Sequence, residues 1–176
     1  EAASFAGQTG PEDWLLLQGN LSLPATEAAL RANSARVILN TAPLRWPVAE
    51  LLASCHLVIA NTVEAESVTG LTAKAAAARL LALGARAAIV TLGGAGAILA
   101  ESGTIQRFAP PRAHVVDSTG AGDTLCGMLA AGLARGLPLP RALALGQIAA
   151  ADCVTRPGAF AALPSTAFLH ALWEAA

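Results

Sequence analysis

The chemistry this sequence can offer concentrates in Asp117-Ser118-Thr119-Gly120-Ala121-Gly122-Asp123. Gly120-Ala121-Gly122 lacks side-chain bulk, so a ligand can approach its backbone closely, and it opens directly onto the apolar stretch Thr124–Ala134. Unpaired N–H groups at a helix start, aided by the macrodipole, make an anion site. An aspartate at the mouth of such a site repels a phosphate, so Asp123 is out of place if the site only binds one. It fits a base that takes the proton of a hydroxyl as that hydroxyl attacks a phosphoryl group. Asp123 equally fits a plain helix N-cap, a position aspartate favours. Spacing alone leaves both roles open.

Two further segments set polar residues directly after apolar runs. They are Asn61-Thr62-Val63-Glu64 after Leu57–Ala60, and Thr91-Leu92-Gly93-Gly94 after Ala87–Val90. Ligands of open α/β sheets gather at the carboxyl ends of strands. Those two ends, and Asp117–Asp123 after Val115-Val116, carry polar residues that a plain core does not require. The elements behind them alternate. Trp14–Gln18, Arg36–Asn40, Leu57–Ala60, Ala87–Thr91, Ala97–Ala100 and Ala113–Val116 read as strands, several of them apolar runs of the buried kind. Thr26–Asn33, Val48–Ser54, Val63–Thr69 and Thr72–Leu83 read as helices, with Gly84 placed to cap the last. From Gly122 onward the pattern turns helical: Asp123–Arg135, Pro140–Thr155 and Ser165–Glu174, the first two parted by Gly136-Leu137-Pro138. This alternation predicts a parallel sheet covered by helices, in one α/β domain over residues 1–176, with Asp123 at the start of a buried helix.

Composition narrows the classes. The chain is 55% hydrophobic and 13% charged, with net charge −1 and mean hydropathy +0.55. The longest uncharged stretches, such as Ala87–Ala100, are broken by glycines and fall short of the roughly 20 apolar residues a spanning helix needs. The expectation is a protein with no membrane partner, its hydropathy supplied largely by alanine. A near-neutral charge with no basic run argues against nucleic acid as a partner. Cys55, Cys126 and Cys153 form no C-x-x-C pair and fit reduced thiols in a cytoplasmic protein. The first residues, Glu1-Ala2-Ala3-Ser4-Phe5, lack the basic and apolar regions of a signal peptide. No G-x-x-x-x-G-K-[ST] occurs, Leu99 spoils a dinucleotide fingerprint at Gly94-Ala95-Gly96, and no G-x-S-x-G elbow exists for Ser22, Ser118 or His114. Cys126 reads as an apolar helix residue rather than a nucleophile. Trp14, Trp46 and Trp173 read as packing residues.

The segment Asp117-Ser-Thr-Gly-Ala-Gly-Asp-Thr-Leu-Cys-Gly127 resembles the C-terminal signature of the ribokinase-like (PfkB) carbohydrate kinases, D-[TS]-x-[GA]-A-G-D-[TS]-F-x-G, with Leu125 in place of Phe. Asn61-Thr-Val-Glu64, followed by Ala65-Glu66 and Thr69-Gly70, resembles the family's N-x-x-E motif, and Thr91-Leu-Gly93 its T-x-G nucleotide loop. Val154-Thr-Arg-Pro-Gly158-Ala159 and Leu39-Asn40-Thr41-Ala42-Pro43 are similar to the V-T-R-x-G-A and L-N-P-A-P segments of its ribokinase branch. These motifs run in the family's order over Gln18–Pro164.

The resemblance implies a three-layer α/β/α fold and ATP-dependent phosphoryl transfer to a sugar hydroxyl. Asp123 is then the base and also faces the sugar, with the N–H groups of Gly120, Ala121 and Gly122 as the anion hole. Glu64 orders Mg²⁺ through water and Asn61 faces the phosphates. Thr91, Gly93, Gly94 and Gly96 line the nucleotide, with Gln147 near the adenine. Asp117, Thr119, Cys153, Arg156, Gly158 and Ala162 match positions that ring a monovalent cation, K⁺, mostly through backbone oxygens; Ala162 replaces the usual Ser. Asn20 stands where a sugar-contacting Glu is common, which counts against D-ribose itself and leaves a nucleoside or another small polyol as alternatives. The resemblance further implies that the sequence is the C-terminal, nucleotide-binding part of a kinase. The N-terminal sugar-binding strands, and the lid through which a homodimer would form, lie outside it. A chain of this kind can hold ATP and yet transfer nothing by itself.

Overall fold

The computed structural model describes residues 1–175, in two units that are taken in turn: residues 1–108 and, from Ala109, the described remainder. The first is built on a sheet of six strands in chain order, β1 (Trp14–Gln18), β2 (Arg36–Asn40), β3 (Leu57–Asn61), β4 (Ala87–Thr91), β5 (Ala97–Glu101) and β6 (Thr104–Phe108). Between them run α1 (Ala2–Ala6), α2 (Leu23–Ala32), α3 (Thr62–Thr69), α4 (Ala73–Ala82) and a 3-10 segment, Ala49–Ser54. The near-continuous apolar runs of β3, β4 and β5 are buried at four successive positions each, on both faces, as the inner strands of an α/β sheet require. On one face Leu15, Leu17, Val37, Leu39, Val58 and Val90 join Ala29 of α2 and Ala76, Ala77 and Leu80 of α4 in a single core. Alanine lets α4 lie close to the sheet. The helix then stops because Gly84 adopts φ +112°, so that Ala85 N–H reaches Leu80 O (3.3 Å) and Gly84 N–H reaches Leu81 O (2.9 Å). The capping residue proper is Leu83, with Gly84 following it.

β1 to β4 are parallel, and the register sets Gln18 beside Asn40 and Asn61 beside Thr91 at their carboxyl ends. The expected parallel sheet is corrected beyond that point: β5 and β6 are antiparallel. Leu92–Gly96 is too short for a crossover, so β4 must turn back on itself. β6 was not expected from its sequence, because Thr-Ile-Gln-Arg-Phe is exposed at nearly every position and shows no core face. It pairs through the Ser102-Gly103 turn, both residues at positive φ, the favoured hairpin geometry. The helix expected at Val48–Ser54 is 3-10, and the short α1 carries no sequence signal.

The second unit is helical: α5 (Ala121–Ala134), α6 (Leu139–Cys153) and α7 (Thr166–Glu174). α5 and α6 form a tight hairpin through Gly136, at φ +82°, with Leu137 N–H on Gly132 O. Small residues let the two helices approach: a Cβ on Gly132 would lie 3.1 Å from the Cβ of Ala142, and one on Gly146 would lie 3.0 Å from Leu125 O. Met128, Leu145 and Ala149 are buried with Leu169, Leu172 and Trp173 of α7 against them. The strand expected at Ala113–Val116 does not form. Val115 and Val116 are exposed, and the N–H groups of Val116 and Asp117 both go to Val154 O beyond the end of α6. Two valines after the donor-less Pro110-Pro111 make a poor strand, and the helix end offers their backbone an acceptor. No helix among the described residues is long and apolar enough to cross a membrane.

Candidate active site

The first unit presents its polar groups where the parallel strands end. Asn61 closes β3 and caps α3: its Oδ1 accepts Glu64 N–H (2.9 Å), and Glu64 Oε2 accepts Asn61 N–H (3.0 Å). This reciprocal capping box places Glu64 in the first turn of α3. Glu64 is 9% exposed, and its Oε2 also accepts the hydroxyl of Thr41 at 2.8 Å. The other carboxylate oxygen takes part in none of these bonds. Thr41 was not among the residues expected to act. Its only sequence signal was its place in Leu39-Asn40-Thr41-Ala42-Pro43, because the contact joins residues 23 apart.

Beside Asn61, Thr91 ends β4 and begins the turn to β5. Gly93 lies at φ +56° and Gly96 at φ +95°, ψ −139°, a region open essentially to glycine alone. Leu92 N–H on Gly96 O (2.8 Å) closes the loop, and Arg107 donates to Ala95 O from β6. Added side chains at Gly93 and Gly94 would meet nothing within 4 Å, so the loop exposes bare backbone. Asn20 is exposed in the turn after β1. Gly19 just before it packs so closely that a Cβ would lie 2.6 Å from both Thr41 O and Pro43 O.

In the second unit α5 begins at Gly120, which caps it at φ +80° with no side-chain hydrogen bond. Asp123 therefore is not the N-cap. It sits in the third helical position, exposed, at a helix start whose cap brings no side-chain acceptor. The helix starts two residues earlier than expected because glycine supplies the left-handed turn itself. Of the three N–H groups read as an anion hole, that of Ala121 makes a long bond to Ser118 O (3.3 Å), while Gly122 is exposed with open space around it.

Asp117 organises the neighbouring loops. Its Oδ1 accepts both the hydroxyl (2.7 Å) and the N–H (2.9 Å) of Thr119, and its Oδ2 accepts Gly158 N–H (2.8 Å). These donors, the Thr119 hydroxyl foremost, hold its pKa down at about 2. The Cys153 thiol approaches Thr119 O at 3.9 Å. The structure thus gathers Asp117, Thr119, Cys153 and Gly158. It turns the Arg156 guanidinium elsewhere, onto the Asp152 carboxylate and Ala162 O. Gln147 is 7% exposed on α6, and no protein hydrogen bond to its amide is found among the described residues. Burial pushes the Cys55 thiol up to about 12, which suits a core residue and not a nucleophile.

The donors present fit a hard divalent cation. Such ions take oxygen ligands and keep much of their water, and Glu64 offers a carboxylate oxygen unclaimed by the capping box or by Thr41. Asp117 and the carbonyls around it are likewise oxygen donors, suited to a monovalent cation.

The pfkB family carbohydrate kinase model matches residues 7–166. The chain belongs to that family. It is 30% identical over 167 residues to the ribokinase of Haemophilus influenzae, covering 90% of this chain and 55% of that protein. The crystal structure of Thermotoga maritima ribokinase superposes with TM-score 0.86 at 30% identity, over 92% of this chain and 57% of that one. Arabidopsis thaliana ribokinase, complexed with ribose and ATP, gives TM-score 0.78 at 28% identity, over 90% and 55%. The chain spans about half the length of the curated relatives it matches. The fold is of the ribokinase-like α/β type.

Proposed function

We propose that this protein transfers the γ-phosphoryl group of ATP to a hydroxyl of a sugar or related polyol. The observation that carries the reading is the start of α5, where Asp123 stands in the first turn beside the bare backbone of Gly120-Ala121-Gly122. Asp123 takes the proton of the acceptor hydroxyl. That oxygen attacks the γ-phosphorus as the bond to ADP breaks, and the N–H groups of Gly120, Ala121 and Gly122 stabilise the charge on the transferred group. Thr91, Gly93, Gly94 and Gly96 are assigned to the nucleotide and Asn61 to its phosphates; Gln147 is assigned to the adenine. Glu64 would hold Mg²⁺ through water, and the ion would neutralise phosphate charge. Asp117, Thr119, Cys153, Gly158 and the carbonyls near Arg156 and Ala162 would hold K⁺, which would order the loop before α5. Asn20 contributes to sugar contact. Two features support the reading: the family match, and a relative's complex with ribose and ATP.

Asp123→Asn tests it. A general base contributes roughly 10²–10⁴-fold, so turnover falls by that factor while nucleotide affinity stays close to the original. Turnover near that of the unaltered protein removes Asp123 from the role. The chain's span of about half its relatives favours a second reading, that these 176 residues bind nucleotide without transferring phosphate. Saturable ATP binding with no sugar phosphate formed distinguishes it.

A further inference from the structure

We propose that Thr41 is a positioning residue for the Glu64 carboxylate, holding one of its oxygens so that the other serves the metal–nucleotide complex. The inference rests on the metal role given to Glu64 above. Thr41 is fully buried just beyond β2, where its N–H continues the ladder to Ile59 O at 2.9 Å. Its single hydroxyl hydrogen has two acceptors in reach, Glu64 Oε2 at 2.8 Å and Ile59 O at 3.3 Å. The carboxylate is nearer and charged, and Ile59 O already has the Thr41 N–H, so the hydroxyl bonds to Glu64.

Two donors from neighbouring strands therefore meet on one oxygen: Asn61 N–H from β3 and the Thr41 hydroxyl from beyond β2. The capping box alone ties Glu64 to its own helix start. Among the described residues Thr41 alone ties it to the strand next door, which fixes the carboxylate against rotation about its last torsion. A carboxylate this buried needs such donors. Groups that orient a metal's ligands in this way typically alter metal affinity when removed.

Thr41→Val keeps the shape and deletes the hydroxyl; Thr41→Ser restores it. The probe is Mn²⁺ with a non-hydrolysable ATP analogue, free Mn²⁺ being read by electron paramagnetic resonance on the 176-residue chain. Thr41→Val weakens metal-dependent nucleotide binding by about tenfold, leaves metal-free nucleotide binding unchanged, and Thr41→Ser recovers most of the loss. Glu64→Gln is measured alongside. If Glu64→Gln weakens Mn²⁺ binding and Thr41→Val does not, Thr41 has no positioning role and the reading of Glu64 stands. If Glu64→Gln changes nothing, the metal role of Glu64 falls and this inference falls with it. Should Thr41→Val melt too low to assay, Thr41→Ala against Thr41→Ser makes the same comparison.

Discussion

Gly120 and Gly122 lie two residues apart, and alanine should act on them in opposite directions. Gly120 has φ +80°, which costs an L-residue about 1–2 kcal/mol. The new Cβ would also stand 3.3 Å from the Cα of Ala159 and 3.4 Å from its O, so that exposed loop must yield slightly. Loss of unfolded-state freedom returns about 0.4–1 kcal/mol. The net for Gly120→Ala is a loss of about 1 kcal/mol, or about 2–4 °C in melting temperature at this chain length. Gly122 is an ordinary helical residue with nothing within 4 Å of an added Cβ, so Gly122→Ala gains up to about 1 kcal/mol of helix propensity. Its methyl, however, enters the open space where the proposed phosphoryl group lies. Melting followed by circular dichroism, with turnover measured on the same preparations, should show Gly120→Ala melting lower and Gly122→Ala unchanged or higher but slower. A Gly120→Ala that melts no lower than the unaltered chain refutes the backbone reasoning. Full turnover in Gly122→Ala means that the phosphoryl group does not occupy the space its methyl enters.

Further outcomes follow from the loops and the helical core. Asp117 has a folded pKa near 2, below its ordinary 3.8, so its stabilising effect is complete above that ordinary value and fades as pH falls toward 2. The amide shifts of Thr119 and Gly158 should titrate with that low midpoint; a midpoint at 3.8 would show that these bonds do not persist in solution. K⁺ should raise turnover, and Asp117→Ala should lower the rate and abolish the K⁺ dependence together. Equal rates in K⁺ and in a large organic cation at constant Mg²⁺ would show that no such site is used. Leu143→Ala, at a fully buried position of α6, should cost about 2–5 kcal/mol in urea unfolding, and a loss below about 1 would mean the helix pair relaxes around the gap.

The sequence by itself determined what depends on near neighbours. The apolar runs of β2 to β5 announce buried strands, Asn61-Thr-Val-Glu64 announces polar residues at a strand's carboxyl end, and Gly120-Ala121-Gly122-Asp123 announces bare backbone opening a helix with a carboxylate near its start. Each of these rests on residues within about one helical turn of each other. Tertiary structure decided the rest. β6 has no apolar face to betray it and exists because β5 offers an unpaired edge. Val115 and Val116 look like a strand, but their segment bonds to the end of α6, whose position no local pattern reveals. The Thr41 hydroxyl on Glu64 spans 23 residues and the Asp117 carboxylate on Gly158 N–H spans 41. Arg156 finds Asp152 one helical turn away in preference to Asp117. Those partners were chosen by which chain segments the packed strands and helices bring side by side, a property of the whole fold.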